Sequence, residues 1–463
     1  MVKRTLLTGT LVMALVSSML IGCQSARESG LESESGEKEA LTLKIVDFNK
    51  LSFESWGGED LRHQFPQIRF EVVPIIQGET GLNQHNKMKP ASELLEESQP
   101  DILVLSQYEY EKLSGEGKLL ELDPLIKQDN YDMEGFVPIV TDFLRTAGKG
   151  KMYGLSPTFA GSGIIYNKDL FDRYNIPYPS EAMSKEELFQ LVKRFPVDGQ
   201  GNERIFGYLS NSAGVNALMS QIIYSGHMEG LSAVDPTGKT MQISSPEWRR
   251  IFQMVLDAAS SKAWLDEGFT DLMKNAKDMR IYDWFPSGRV AMTSTSYQDL
   301  LTLQAYWDSH PNVKPFKYGL TRSPVDPANP DTGNSVSLNF ILAINAKSPN
   351  VDAAWDVIRY VTGEQWAAKH AKTFYQLSSR SAYVTLWNGV SLLPFYEGQR
   401  IANRYDEPYE LLPEGFIDAW VVDAEKELQN VMNKKATLDE AIKAIEELGR
   451  MRISTGHSEG GNP

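Results

Sequence analysis

The chain carries one cysteine, Cys23, and six histidines: His63, His85, His227, His310, His370 and His457. A single thiol forms no intrachain disulfide and no cysteine metal site. The histidines are scattered, with no pair at i,i+2 or i,i+4, so none shows the convergent partners that hold a metal. Neither Ser156 nor Ser162 has glycine both two residues before and two after, as a strained Gly-x-Ser-x-Gly nucleophile turn requires. Lys118 and Lys151 follow glycines but lack the earlier Gly and following Ser/Thr of a phosphate-binding loop. Carboxylates are plentiful, with 61 Asp and Glu. A paired-carboxylate glycosidase therefore stays open, since spacing along a chain does not give separation through space. These patterns give no metal site and no cofactor motif; nothing in them supports an enzyme, and nothing in the sequence forbids one.

The setting of Cys23 points to modification instead. Lys3 and Arg4 precede an apolar stretch, Leu6 to Ile21, which ends in Leu20-Ile21-Gly22-Cys23. The run is too short and ends too abruptly in polar sequence for a typical spanning helix, and reads as a secretory signal. Its last four residues resemble the bacterial lipobox, which implies lipid on the Cys23 thiol and cleavage before it. A plain signal peptide and a retained anchor helix are the other readings. Residues 24–40 (QSARESGLESESGEKEA) are rich in Ser, Glu and Gly and read as a flexible tether. As a random coil they would span roughly 20–25 Å. The expected location is the extracytoplasmic face of the cell membrane.

Beyond the tether, 41% hydrophobic and 23% charged residues describe an ordinary globular body with a sizeable core. The formal net charge of −15 becomes two units more negative without Lys3 and Arg4. That acidity opposes binding to nucleic acid or to an anionic membrane face.

Strand and helix patterns alternate from Leu41. Leu41 to Phe48, Phe70 to Ile76 and Ile102 to Leu105 read as strands, with helical spacing between them. The alternation predicts α/β architecture with largely parallel sheets. Ser184 to Glu187 is a capping box before a helix, and Ser245-Pro246 a cap followed by an N1 proline. Ser348-Pro349 is expected to open a third helix and Thr437 to cap the last one. The tail, residues 451–463, is expected to be disordered.

Four separated blocks stand in order. The first is Pro100 to Leu105 with Gly117 to Asp123. The second is Gly150 to Pro157, Ile164 to Phe171 and Ile176 to Pro179. The third is Phe285 to Met292, and the fourth Leu342 to Pro349 leading to Trp355. Together they resemble the extracellular solute-binding proteins of bacterial ABC importers, of the large maltose-binding-protein-like group, across Leu41 to Leu448. The resemblance implies a two-lobed periplasmic-binding-protein-like (type II) α/β fold with a multi-strand hinge and a cleft between lobes. It places one lobe at 41–158 plus 340–378 and the other at 162–337 plus 383–450. Crossings are expected near Pro157 to Ser162, Ser335 to Phe340 and Leu377 to Ala382, with Thr158, Gly161 and Gly163 as hinge residues. Many relatives carry a glycine pair at the second crossing, where this chain reads Asn334 to Asn339.

The same resemblance implies ligand contacts from Asn49, Gln107, Tyr108, Phe159, Asn211 and Tyr297, with Trp284 and Tyr375 as further candidates. Sugar-binding relatives often place a tryptophan near Tyr297. Aromatic faces beside amide and hydroxyl groups suit a sugar, which has an apolar face and a rim of hydroxyls. The expected function is a non-enzymatic, monomeric, lipid-anchored receptor that delivers a carbohydrate, expected to be an oligosaccharide, to transmembrane permease subunits by closing its cleft. A peptide, polyamine or metal complex as cargo is the alternative, as is an exported hydrolase or sensor partner.

Overall fold

The computed structural model describes residues 41–76, 89–197, 204–209, 217–264, 283–328, 336–370, 376–383, 386–397, 411–413 and 415–459. Cys23 and the tether lie outside them. Two sheets organise the described residues. The first has the order β2-β1-β3-β10-β4, from Ile68–Pro74 (β2), Leu41–Asp47 (β1), Ile102–Leu105 (β3), Ile341–Ile344 (β10) and Gly154–Leu155 (β4). Leu43, Ile45, Val46, Ile102 and Leu103 are almost wholly buried, as expected of central strands covered on both faces.

The second sheet is built on one long strand, β5 (Thr158–Asn167). It pairs with β7 (Val290–Ser296), β8 (Tyr318–Arg322), β9 (Val336–Ser337) and β11 (Leu377–Ser378), while β6 (Phe206–Leu209) adds to β7. Alternate β5 side chains serve different cores. Ile165 joins the cluster that continues beneath the first sheet, whereas Ile164 and Tyr166 join one built with Leu188, Trp248, Ile251 and Trp420.

The expectation of largely parallel sheets needs correction. β1 runs parallel to β2 and β3, and β6 to β7, but β10 is antiparallel to β3 and β4. All four partners of β5 are antiparallel to it. A parallel pair needs a crossover returning the chain to the same end. No such crossover precedes β10, which the chain enters directly from β9 in the other sheet.

The chain passes between sheets from β4 to β5, from β9 to β10, and after the helix Glu364–His370 into β11. These passages lie side by side. Phe159 pairs with Leu377, Thr158 with Ser378, Ala160 with Ser337 and Gly161 with Val336. The glycines here serve close packing within a strand. A Cβ on Gly161 would lie 2.6 Å from the Phe395 carbonyl oxygen, and one on Gly163 2.7 Å from that of Thr321.

Capping follows the sequence at three of four sites. Ser184 and Glu187 form their capping box, Ser245 caps Pro246–Ser260, and Thr437 exchanges hydrogen bonds with Glu440. The fourth differs. The helix Val351–Val361 has Asn350 as its N-cap, and Ser348 instead donates its hydroxyl to Asp101 Oδ1 at 2.6 Å. Asp101 is buried and gathers further donors from Asn350 Nδ2 and the Lys44 amide. A buried carboxylate must be satisfied this way, and its demand overrides the local cap. The tail also differs from expectation. The helix Leu438–Glu459 continues past Arg450 because Ile453 extends its apolar stripe and is buried.

Candidate functional site

A concavity of about 680 Å3 opens at the carboxyl edge of the first sheet. Its place follows from strand order. The chain leaves β1 to build β2 on one side and later β3 on the other, so the connections diverge and leave a crevice at their ends. Asp47 and Phe48 after β1, Ile75 after β2, and Ser106 and Tyr108 after β3 line it. Asn339 and Phe340 before β10, and Gln376 before β11, close the side nearest the passages between sheets.

The floor is aromatic. Trp56 and Phe340 are buried with ring centroids 5.0 Å apart. Phe48 and Tyr108 leave 39% and 50% of their surface exposed beside it, enough to present ring faces to a solute. Neutral polar groups of Ser52, Ser55, Asn339 and Gln376 stand among these rings.

The charged groups in the crevice are taken up by the protein. Asp47 is buried and accepts from Trp56 Nε1 (2.8 Å), Ser52 Oγ (2.9 Å) and the Phe48 amide (2.6 Å). Burial raises its carboxyl above the usual range, against the opposing pull of those donors. Glu109 accepts from the Ala91 amide through one oxygen and from the Ser106 amide and hydroxyl through the other. Lys89 is paired with Glu93 and Glu97. The arrangement can hold a neutral solute by stacking and hydrogen bonding, with no charge set aside for it.

Of the residues singled out from sequence, Tyr108 lies in this crevice. Asn49 does not line it, because its side-chain oxygen accepts from the Ser52 amide and caps the helix Lys50–Trp56. Gln107 is the half-buried first residue of the helix Gln107–Gly115 and also stands outside the lining. Phe159 is a core residue, packed edge-on against Tyr396. Trp284 is also core, beside Phe206 and beneath the Arg289 guanidinium at 4.3 Å. Asn211 and Tyr375 lie outside the described residues.

Tyr297 needs the fullest correction. It begins the helix Tyr297–Ser309, is only 3% exposed, and meets Trp387 edge to face at 5.7 Å. Trp387 sits on a hairpin of β12 (Leu386–Trp387) and β13 (Val390–Ser391), turned by Asn388-Gly389 with both φ positive. That hairpin covers the ring expected to stack on ligand. Tyr297→Ala should therefore cost the apo protein about 3–5 kcal/mol, the price of an emptied core ring. Urea unfolding of the apo variant measures it, and unchanged stability would place the ring outside the core.

Sequence reasoning missed Phe48, Trp56, Phe340 and Gln376. Phe48 and Gln376 each adjoin a residue that was chosen, Asn49 and Tyr375. Trp56 carries a signal in retrospect, since a polar Asp47 closing an apolar strand needs a buried donor nearby.

Comparison with known proteins agrees with this architecture. The profile of the bacterial extracellular solute-binding protein family matches residues 65–368. An uncharacterized ABC transporter extracellular-binding protein of Pyrococcus horikoshii is 23% identical over 202 residues, 41% of this chain and 44% of that protein's length. A sugar transporter of Rhizobium etli solved in an open conformation aligns with a TM-score of 0.62 at 18% identity, over 89% of this chain and 99% of its own. The sugar-binding protein MalE of Xanthomonas citri aligns with a TM-score of 0.59 at 14% identity, over 91% and 100%. At these identities the structural likeness establishes a shared two-lobed α/β fold.

Proposed function

From the premise that this chain belongs to the bacterial extracellular solute-binding protein family, we propose that it is a carbohydrate receptor of an ABC importer. The crevice at the carboxyl edge of the first sheet holds the sugar, an oligosaccharide. The observation that carries this reading is the pairing of exposed ring faces, Phe48 and Tyr108, with neutral amides and hydroxyls. Asp47, Glu109 and Lys89 are each engaged by protein groups, which disfavours a charged cargo such as a polyamine. The fold neighbours named for sugars support the same class.

The halves built on the two sheets act as lobes that close on the ligand, and the closed monomer presents it to the permease subunits. Closure follows only if the ligand favours one state, so it must touch groups from both halves. A thermal-shift panel tests the reading with maltotriose, cellotriose and other neutral oligosaccharides beside spermidine and short peptides. A sugar at 100 times its dissociation constant should add about 2.7 kcal/mol of apparent stability. Shifts with spermidine or peptides alone, or with nothing, would remove the carbohydrate assignment.

The receptor is held at the membrane by lipid on Cys23, the sole cysteine, at the end of Leu20-Ile21-Gly22. Cys23→Ser should release the protein from membranes or block its processing. Complete retention on membranes at the mature size would contradict this anchor.

A further inference from the structure

We propose that Thr158 is a positioning residue for ligand, fixing the Gln376 amide in the crevice and joining the crevice to the strands that pass between sheets. The proposal rests on the crevice being the carbohydrate site. Thr158 is the buried first residue of β5, where the chain enters the second sheet. Its hydroxyl donates to Gln376 Oε1 at 2.7 Å. Gln376 lies just before β11 and lines the crevice beside Asn339 and Phe340. Backbone pairing of Thr158 with Ser378, and donation from the Ser379 amide to the Pro157 carbonyl at 2.9 Å, lock the two segments together. The buried Ser156 hydroxyl stands 2.7 Å from the carbonyls of both Thr158 and Phe340, so the segment before β10 meets them at the same point.

The chemistry of the amide sets what Gln376 offers. An amide group has one acceptor oxygen and two N–H donors, and its terminal torsion is broad and roughly two-fold. A hydroxyl donating to Oε1 selects one orientation and leaves the Nε2 hydrogens as the free function. Among the described residues Gln376 shows no second hydrogen bond. The crevice is thus given a fixed donor whose complement is a hydroxyl or ring oxygen of a neutral sugar. Thr158 supplies that orientation without touching the ligand.

A purely structural Thr158 would influence stability alone, which makes the two roles separable. Calorimetric titration uses the oligosaccharide giving the largest thermal shift, against wild type, Thr158→Val, Thr158→Ser, Gln376→Ala and the double variant Thr158→Val/Gln376→Ala. Thr158→Val should weaken binding about five- to tenfold, the scale of one hydrogen bond. Thr158→Ser, which keeps the hydroxyl, should restore wild-type affinity. Adding Thr158→Val to Gln376→Ala should change nothing further, because the group being oriented is already gone. Unchanged affinity in Thr158→Val, or losses that add in the double variant, overturns the proposal while leaving the carbohydrate reading intact. Failure of every oligosaccharide to bind wild type overturns both. Should Thr158→Val fail to fold, the serine and Gln376→Ala variants decide. Weak binding by Thr158→Ser, or full binding by Gln376→Ala, overturns the proposal.

Discussion

Replacing Arg380 with methionine should lower the stability of the apo protein by about 2–4 kcal/mol, measured by urea unfolding. Arg380 follows β11 and is 3% exposed. Its Nε donates to the Thr362 carbonyl at 2.8 Å, Nη1 to the Asp132 backbone and carboxylate, and Nη2 to the Tyr131 hydroxyl, each at 2.9 Å. The guanidinium also lies 3.9 Å from the centroid of Phe136. Methionine keeps the stem in place and deletes every donor. The half-exposed Asp132 carboxylate tolerates the loss, since water can screen it. Most of the effect comes from the buried carbonyl of Thr362 and from the aromatic face. Arg380→Lys should recover only part of it, because an ammonium cannot reproduce the planar fork. A loss below about 1 kcal/mol in the methionine variant would show that the segment after β11 is held by its backbone pairing instead.

Lys185→Met should act in the opposite direction and stabilise the protein at neutral pH. Lys185 opens the helix Lys185–Val192 and is almost wholly buried. Its ammonium lies 5.1, 5.6 and 5.2 Å from the ring centroids of Phe189, Tyr208 and Tyr224, and among the described residues no carboxylate pairs with it. Burial lowers its pKa from 10.5 to about 8. Below pH 8 the amine is charged in both folded and unfolded chains, so the burial penalty is fully present. Between pH 8 and about 10.5 the folded amine has lost its proton while the unfolded one keeps it, and stability rises with pH. The span corresponds to about 3 kcal/mol at most, reduced in the methionine variant by the loss of cation–π attraction. Wild type should therefore gain stability from pH 8 to 10 relative to Lys185→Met. Parallel pH profiles of the two proteins would show that the three rings compensate the charge fully.

Local signals carried much of this fold. The strand Ile102–Leu105 and the caps at Ser184, Ser245 and Thr437 stand where the residues place them, because each depends on neighbours a few positions away. Strand direction was not legible in the same way. Nothing within Ile341–Ile344 says that it lies antiparallel between β3 and β4. The site shows the same division. Asn49 and a ligand-binding asparagine look alike in sequence, and only the turn toward Ser52 reveals a cap. Tyr297 follows a strand end as a stacking residue would, but Trp387, far along the chain, covers it. Contacts of that range leave no mark near either residue.

The placement of β10 also dictates an order of events when the chain first acquires its shape. β3 and β4 each lend one edge to Ile341–Ile344 and do not pair with each other. While residues up to 340 emerge alone, these edges stay open, and the first sheet remains in two pieces. Closing it requires a contact across the whole of the intervening second sheet, the kind of long-range pairing that slows folding. Unpaired edges invite association with other chains in the meantime. A nascent chain cut before Ile341 should accordingly be held by chaperones and aggregate on release, whereas one extended past Ile344 gains the strand that joins the two pieces.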